Sequence, residues 1–215
     1  MKVTLLTMWA DNFKRIADIS LPNFKAYCER HGYDLKELKI DSERFHYQKH
    51  IFLKEFLLTD VEVVFYIDID AIITNQSLPV ESFLDDEHDF YTTKDINEIN
   101  TGTFILKNTE WGKWFNGLIL GESKYYNNEQ NVINAFHNTP FVKNKFKILP
   151  HPSINSYPYE YYYPSYGYIG WEDGDKANTK PTHQQGNWEE GDFVMHVPGL
   201  ELNQRAEILK NTKII

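Results

Sequence analysis

A single cysteine, Cys28, leaves no internal disulfide to form and no cysteine-based zinc site. Basic residues are also in short supply. The chain has 22 Lys plus Arg against 31 Asp plus Glu, for a net charge of −9 and a pI near 5.4. That balance argues against a nucleic-acid backbone or an anionic membrane surface as main partner, although it leaves room for a local basic site. Long apolar runs are missing as well. Val63-Val64-Phe65-Tyr66-Ile67 is typical of the longest, far short of the roughly 20 residues that cross a bilayer, so no membrane insertion is expected. The opening MKVTLLTMWADNF has a short apolar stretch without a small-residue cleavage site and reads better as a first strand than as a signal peptide. What is present suffices for a core: 41% hydrophobic and 15% aromatic residues in a chain of 215 exclude wholesale disorder and fit one domain. The expectation is a soluble protein of a reducing compartment, the cytoplasm, or a soluble domain of something larger.

Strands and helices alternate through the first half. Val3–Met8 is an apolar strand candidate, and a helical pattern runs from about Asp11 to Arg30 with Phe13, Ile16, Ile19, Phe24 and Tyr27 as its apolar positions. Pro22 is expected to break or restart that helix, and His31-Gly32 to end it. A second strand over Tyr33–Ile40 and a helix over Phe45–Leu58 lead to Val61–Ile67, a continuous apolar run of the kind found in strands covered on both faces. This β-α-β-α-β order predicts an α/β domain with a largely parallel sheet flanked by helices. Beyond Asp70 the pattern loosens. Strands are expected at Asp89–Thr93, Gly102–Lys107, Phe141–Leu149 and Gly191–Val197, and helices at Thr109–Leu118, Glu129–Phe136 and Asn203–Lys210. Residues 150–190 are rich in Pro, Gly and Tyr, too long for an ordinary connector, and read as a lid or binding loop.

In parallel α/β sheets ligands bind outside the carboxyl ends of the strands. Phe65-Tyr66-Ile67-Asp68-Ile69-Asp70 places two carboxylates at such an end, where residues two apart in extended chain share a side and converge on one cation. Asp-x-Asp alone is a weak signal. A second pair, Asp173-Gly174-Asp175, reads as a solvated turn. The first pair differs because a buried strand runs straight into it, and two charges there need a partner; helix-capping or turn aspartates are the alternative.

Four further segments extend the pattern: Asn100-Thr101-Gly102-Thr103-Phe104-Ile105-Leu106-Lys107-Asn108 followed by Trp111; Glu129-Gln130 opening a helix; Leu149-Pro150 leading to Ile154-Asn155-Ser156-Tyr157; and Gly191-Asp192-Phe193-Val194-Met195-His196-Val197-Pro198-Gly199 before Arg205. In this order, from about Tyr47 to Arg205, they resemble the family of fungal galactosyl- and mannosyltransferases and plant xyloglucan xylosyltransferases. The size is also similar to that of soluble glycosyltransferase domains encoded by chlorella viruses, which would put the chain in a host cytoplasm. The resemblance implies a single GT-A domain over residues 1–215, with a nucleotide-binding half (1–99) and a sugar- and acceptor-binding half (100–215). It implies a metal-dependent, retaining transfer from a UDP-sugar to a carbohydrate or glycoprotein acceptor.

Carried over to this sequence, the resemblance makes Asp68, Asp70 and His196 the ligands of Mn2+ (or Mg2+); an imidazole beside carboxylates suits manganese better. Asp68, Ile69, Asn100, Gly102 and Gly199 would meet the donor, with Gly102 allowing close backbone approach. Thr7, Met8 and Trp9 end the first strand, where GT-A enzymes hold base and ribose, although Trp9 reads equally as core. Lys49 would reach the diphosphate or stand as a solvated helix lysine. Gln130 would sit near the anomeric carbon with Glu129 beside it as the catalytic pair, or the two would simply make an acidic first helical turn. Tyr157, Tyr159, Tyr161, Tyr162 and Trp171 offer an acceptor platform, or a compact loop packed by its own aromatics. Three departures from the family leave donor and acceptor identity open: Glu rather than Asp before Gln130, Val-Pro-Gly-Leu-Glu after His196 without Cys or Lys, and no anchor or stem segment. Two rival functions are a non-catalytic sugar-binding module, which needs no Asp68–Asp70–His196 set, and a nucleotidyltransferase. The latter calls for a Gly-rich basic loop after the first strand, where Thr7-Met8-Trp9-Ala10-Asp11 stands instead.

Overall fold

A computed structural model describes residues 1–40, 45–95, 98–162 and 182–215. Its centre is a six-stranded sheet in the order β2-β1-β3-β8-β5-β9, built from β1 (Val3–Trp9), β2 (Asp34–Lys39), β3 (Val63–Ile67), β5 (Phe90–Thr92), β8 (Thr103–Lys107) and β9 (Phe146–Ile148). The pairs β1–β2, β1–β3 and β5–β9 are parallel, while β8 runs antiparallel to both its neighbours. Two small sheets complete it: β4 (Ala71–Ile73) against β10 (Val194–His196), and β6 (Lys94–Asp95) against β7 (Glu98–Ile99).

Alternation along the strands divides the core in two. Val63, Phe65 and Ile67 face one cluster with Ile16, Phe24 and Tyr27 of α1 (Lys14–His31) and Ala206, Ile208 and Leu209 of α5 (Leu202–Asn211). Val64 and Tyr66 face the other, with Leu53 of α2 (Phe45–Phe56), Phe115 and Ile119 of α3 (Glu110–Glu122), and Val132 and Ile133 of α4 (Glu129–Phe136). Every residue of β3 is buried, as expected of a strand covered on both faces.

Two local expectations need correction. Pro22 does not break α1, which continues through it to Gly32, whose left-handed φ of 71° closes the helix. Proline removes one backbone bond, but the same turn is tied down by Asn23, whose amide donates to Ile73 O and accepts from Ile73 N, both at 2.9 Å. The strand expected over Phe141–Leu149 is confined to β9, because Val142 and Lys143 donate to Thr139 O and Lys145 to Val142 O in consecutive turns.

The contact between α2 and α3 carries a pH dependence. His50 is buried, its Nδ1 2.8 Å from Asn116 Oδ1, while Asn116 Nδ2 donates to His50 O at 3.0 Å. Burial pushes the imidazole down to about 4. The folded state therefore favours the neutral ring, and the associated stability is complete above the unfolded value near 6.5 and lost as pH falls towards 4. This is about 3 kcal/mol, of which about 2 is gone by pH 5. Urea titrations at pH 7 and pH 5 are expected to show that decrement in the native chain and a smaller one in His50→Gln.

Candidate active site

The site forms where β3 ends beside the start of β8. Ile67 pairs with Thr103, and one step further Asp68 N donates to Gly102 O at 2.7 Å. The chain then turns, with Ala71 N donating to Asp68 O at 3.1 Å, and enters β4. Asp68 and Asp70 thus approach each other across a turn rather than along an extended strand. The β4–β10 register does the rest. His196 lies opposite Ala71, and Val197 N donates to Asp70 O at 3.0 Å, so the imidazole arrives beside Asp70 from a segment over 120 residues away.

One ligand atom from each of Asp68, Asp70 and His196 lies within 4.8 Å of the others. His196 Nε2 is 3.3 Å from Asp70 Oδ1 yet is buried without a hydrogen-bond partner among the described residues. Its Nδ1 is 3.1 Å from Asn155 Oδ1. Such a ring, held from behind with its far nitrogen bare, fits a metal-ligand role. Gly102 closes the space: a Cβ there would stand 2.4 Å from His196 Cε1, 2.9 Å from Asp68 Oδ2 and 3.1 Å from Asn100 Oδ1.

The electrostatics are uneven. Burial pushes the half-buried Asp68 carboxyl up, Lys49 opposing and the Asp70 charge adding to the rise. Burial acts the same way on Asp70, but His196 and Arg205 outweigh it and hold that carboxyl below its usual range. Arg205, on α5, donates from Nη1 to Asp70 Oδ2 at 2.6 Å. Tyr66 OH donates to Asp68 Oδ1 at 2.6 Å. The remaining carboxylate oxygens and the bare imidazole nitrogen form a compact donor set for a divalent cation.

Beneath it lies a buried ion pair. Lys49 Nζ is 2.7 Å from Glu129 Oε1 and donates to Thr101 O at 2.8 Å, over the Tyr66 ring. Thr101 Oγ1 donates to Glu129 Oε1 at 2.8 Å and lies 3.4 Å from Gln130 Oε1. Burial disfavours both charges, but each group favours the other's ionised form: Lys49 is raised and Glu129 lowered from their ordinary values. Glu129 is buried and Gln130 half-buried in the first turn of α4, which Asn128 caps through Asn131 N.

The other candidates fall as follows. Asn100 Oδ1 accepts from Gly102 N at 2.8 Å, beside the Asp68–Asp70–His196 cluster. Thr7 and Met8 are fully buried in β1, and Trp9 is half-buried with Lys39 Nζ over its ring. Ile69 is a core side chain, and Gly199 takes a positive φ of 76° in the turn after β10. Tyr157 is buried, with its hydroxyl 2.9 Å from Asn155 Nδ2 and 3.0 Å from Asp95 Oδ2. Tyr159 and Tyr162 are half-buried and Tyr161 is exposed; Trp171 and the segment Asp173-Gly174-Asp175, expected to form a turn, lie outside the described residues. Arg205, Thr101, Asn155 and Asp95 were not among the sequence candidates. Arg205, Thr101 and Asn155 stood within the motif segments, but only tertiary contact gives them a role.

This architecture and site define a GT-A glycosyltransferase fold. The chain matches the galactosyl transferase GMA12/MNN10 family over residues 83–207, more than half its length, and belongs to that family. It is similar to the Saccharomyces cerevisiae protein named "Probable alpha-1,6-mannosyltransferase MNN10", with 27% identity over 190 residues, 66% of this chain and 48% of the relative. It is also similar to an alpha-1,2-galactosyltransferase of Schizosaccharomyces pombe, with 24% identity over 204 residues, 72% of this chain and 53% of the relative. The chain thus spans about half the length of these curated relatives. Among solved structures, a glycosyltransferase involved in glycosylation of the major capsid of the chlorella virus PBCV-1 superimposes with a TM-score of 0.73 at 14% identity, covering 98% of this chain and 99% of that one. Among the described residues, no helix is long and apolar enough to cross a membrane.

Proposed function

We propose that this chain is a metal-dependent, retaining glycosyltransferase that moves a sugar from a UDP-sugar to a hydroxyl of a carbohydrate or glycoprotein acceptor. The observation that carries the reading is the buried, partnerless Nε2 of His196 facing two carboxylates across the gap that Gly102 leaves open. Asp68, Asp70 and His196 would hold the divalent ion, with manganese the best match to an imidazole–carboxylate set. When bound, it supplies positive charge against the donor diphosphate.

The chain's own residues do the rest. Thr7 Oγ1 and Trp9 Nε1 are buried without a partner among the described residues, which supports their use by the nucleotide. Ile69 has its side chain in the core, so only its backbone would meet the donor. Asn100 and Gly102 would line the transferred sugar and Gly199 the diphosphate. Lys49 would lend its charge from beneath the site rather than by contact. Tyr159, Tyr161 and Tyr162 would receive the acceptor, as would Trp171.

Retention without a covalent intermediate requires attack on the donor's front face. The acceptor oxygen bonds to the anomeric carbon as the carbon–phosphate oxygen bond breaks, and the acceptor proton passes to the departing phosphate oxygen. Gln130 Oε1 would steady the positive charge developing at that carbon. A neutral amide is a poor nucleophile, and Glu129 is held by Lys49 and Thr101. Intact-mass spectrometry during turnover is therefore expected to show unmodified protein, and a glycosyl adduct on Glu129 would make the reaction a double displacement.

A panel of UDP-sugars, assayed for UDP release with manganese or EDTA, tests the function: release in manganese alone supports it, and release from none refutes it. UDP at about 100 times its dissociation constant adds roughly 2.7 kcal/mol of stability. A rise in melting temperature is therefore expected with manganese and absent in EDTA.

A further inference from the structure

Behind His196 lies a chain of hydrogen bonds, buried at Asn155 and Tyr157, whose direction is dictated from its half-buried far end. Asp95 contributes a carboxylate oxygen, which only accepts. Tyr157 OH, 3.0 Å from Asp95 Oδ2, must therefore donate its single proton there. Its lone pairs remain to accept from Asn155 Nδ2 at 2.9 Å and Asn100 Nδ2 at 2.8 Å. With its NH2 turned to the tyrosine, the Asn155 amide presents Oδ1 to His196 Nδ1 at 3.1 Å. That nitrogen must carry a proton, so in the neutral ring the lone pair sits on Nε2, facing Asp70. The same junction reaches the other side of the site. Asn100 Nδ2 also donates to Asp95 Oδ2 at 2.7 Å, while its Oδ1 accepts from Gly102 N, and Gly102 O accepts from Asp68 N.

We propose that Asp95, Tyr157 and Asn155 are positioning residues that fix the tautomer and orientation of His196, so that Nε2 faces Asp68 and Asp70 ready for a divalent cation. Tyr157, expected from sequence to face the acceptor, serves here as the junction of the chain. Asn155 is fully buried, and burial holds the Tyr157 hydroxyl well above its ordinary pKa, so it remains a donor. Tyr157 OH, both polar atoms of the Asn155 amide and His196 Nδ1 are partnered, whereas His196 Nε2 is not. An outer partner of this kind orients a ligating histidine.

The inference rests on the metal reading above, and the experiment separates the two. Nitrogen-15 NMR of the metal-free protein reads the ring protonation of His196, assigned by its loss in His196→Gln. Calorimetry reads manganese affinity in the presence of UDP. At a pH where the ring is neutral, the native chain is expected to show protonated Nδ1 and bare Nε2. Tyr157→Phe removes the junction, and mixed tautomers with about 10–100-fold weaker manganese binding are expected. Asp95→Asn, whose amide can present either O or NH2 to Tyr157, is expected to shift both readouts the same way by less, and it carries the test should Tyr157→Phe not fold. A native neutral ring protonated on Nε2 in place of Nδ1 would overturn the proposal, as would folded variants with the native ring signature and unchanged affinity. A native protein that binds no manganese would overturn the metal reading, while the metal-free spectra still decide the tautomer.

Discussion

Gly102→Ala is expected to weaken manganese-dependent UDP binding by about 100-fold or more while the domain still folds. The added methyl would lie 2.4 Å from His196 Cε1 and 2.9 Å from Asp68 Oδ2. Neither neighbour has an easy way to yield. The imidazole is buried and held by Asn155, and Asp68 is tied through its backbone to Gly102 and through its side chain to Tyr66. Displacing an outer partner of a ligand alone costs about 10–100-fold in metal affinity, and a methyl wedged between two ligands exceeds that. Overpacking of this kind costs about 1–3 kcal/mol of stability, so the variant should remain folded by circular dichroism. Calorimetry with UDP and manganese is the check, and native affinity in Gly102→Ala would refute the site.

The second large effect is on stability. Lys49→Met is expected to cost about 3–5 kcal/mol, because it leaves Glu129 charged, buried and without its main counter-ion. The pair lies beneath the site, with both side chains almost fully enclosed. Replacing both partners by apolar groups of similar volume is often neutral, so Lys49→Met with Glu129→Leu should recover most of the loss. Urea denaturation of the single and double variants measures this. Equal loss in both would mean that Lys49 acts through packing rather than charge.

The legible parts of the fold are those with a local signature. The apolar run of β3 announced burial on both faces, and α4 spans Glu129 to Phe136 as expected from sequence, with Asn128 capping it in the structure. Strand β4 was not, since three residues carry no period and its stability comes from β10, about 120 residues on. The Asp68–Asp70 pair was legible as a candidate, but its geometry was not: residues two apart in extended chain would share a side, whereas a turn brings these two together. His196 stood out only within the ordered series of motifs. Arg205, Asn155 and the Lys49–Glu129 pairing depend on contacts between distant segments and leave no spacing to read. That dependence also ranks the probes. Asp70→Ala would strip a buried partner from Arg205 and confound stability with binding, so Asp68→Asn is the cleaner ligand variant.

Paramagnetic manganese tests the central claim most directly, because it broadens the signals of whatever it binds. Manganese added with UDP to protein carrying nitrogen-15 histidine, eight residues in all, is expected to erase the His196 signals first, and to leave them intact at the same concentration in Asp68→Asn. Surviving His196 signals in the native chain, with another histidine lost in its place, would contradict the assignment of Asp68, Asp70 and His196 as the metal centre.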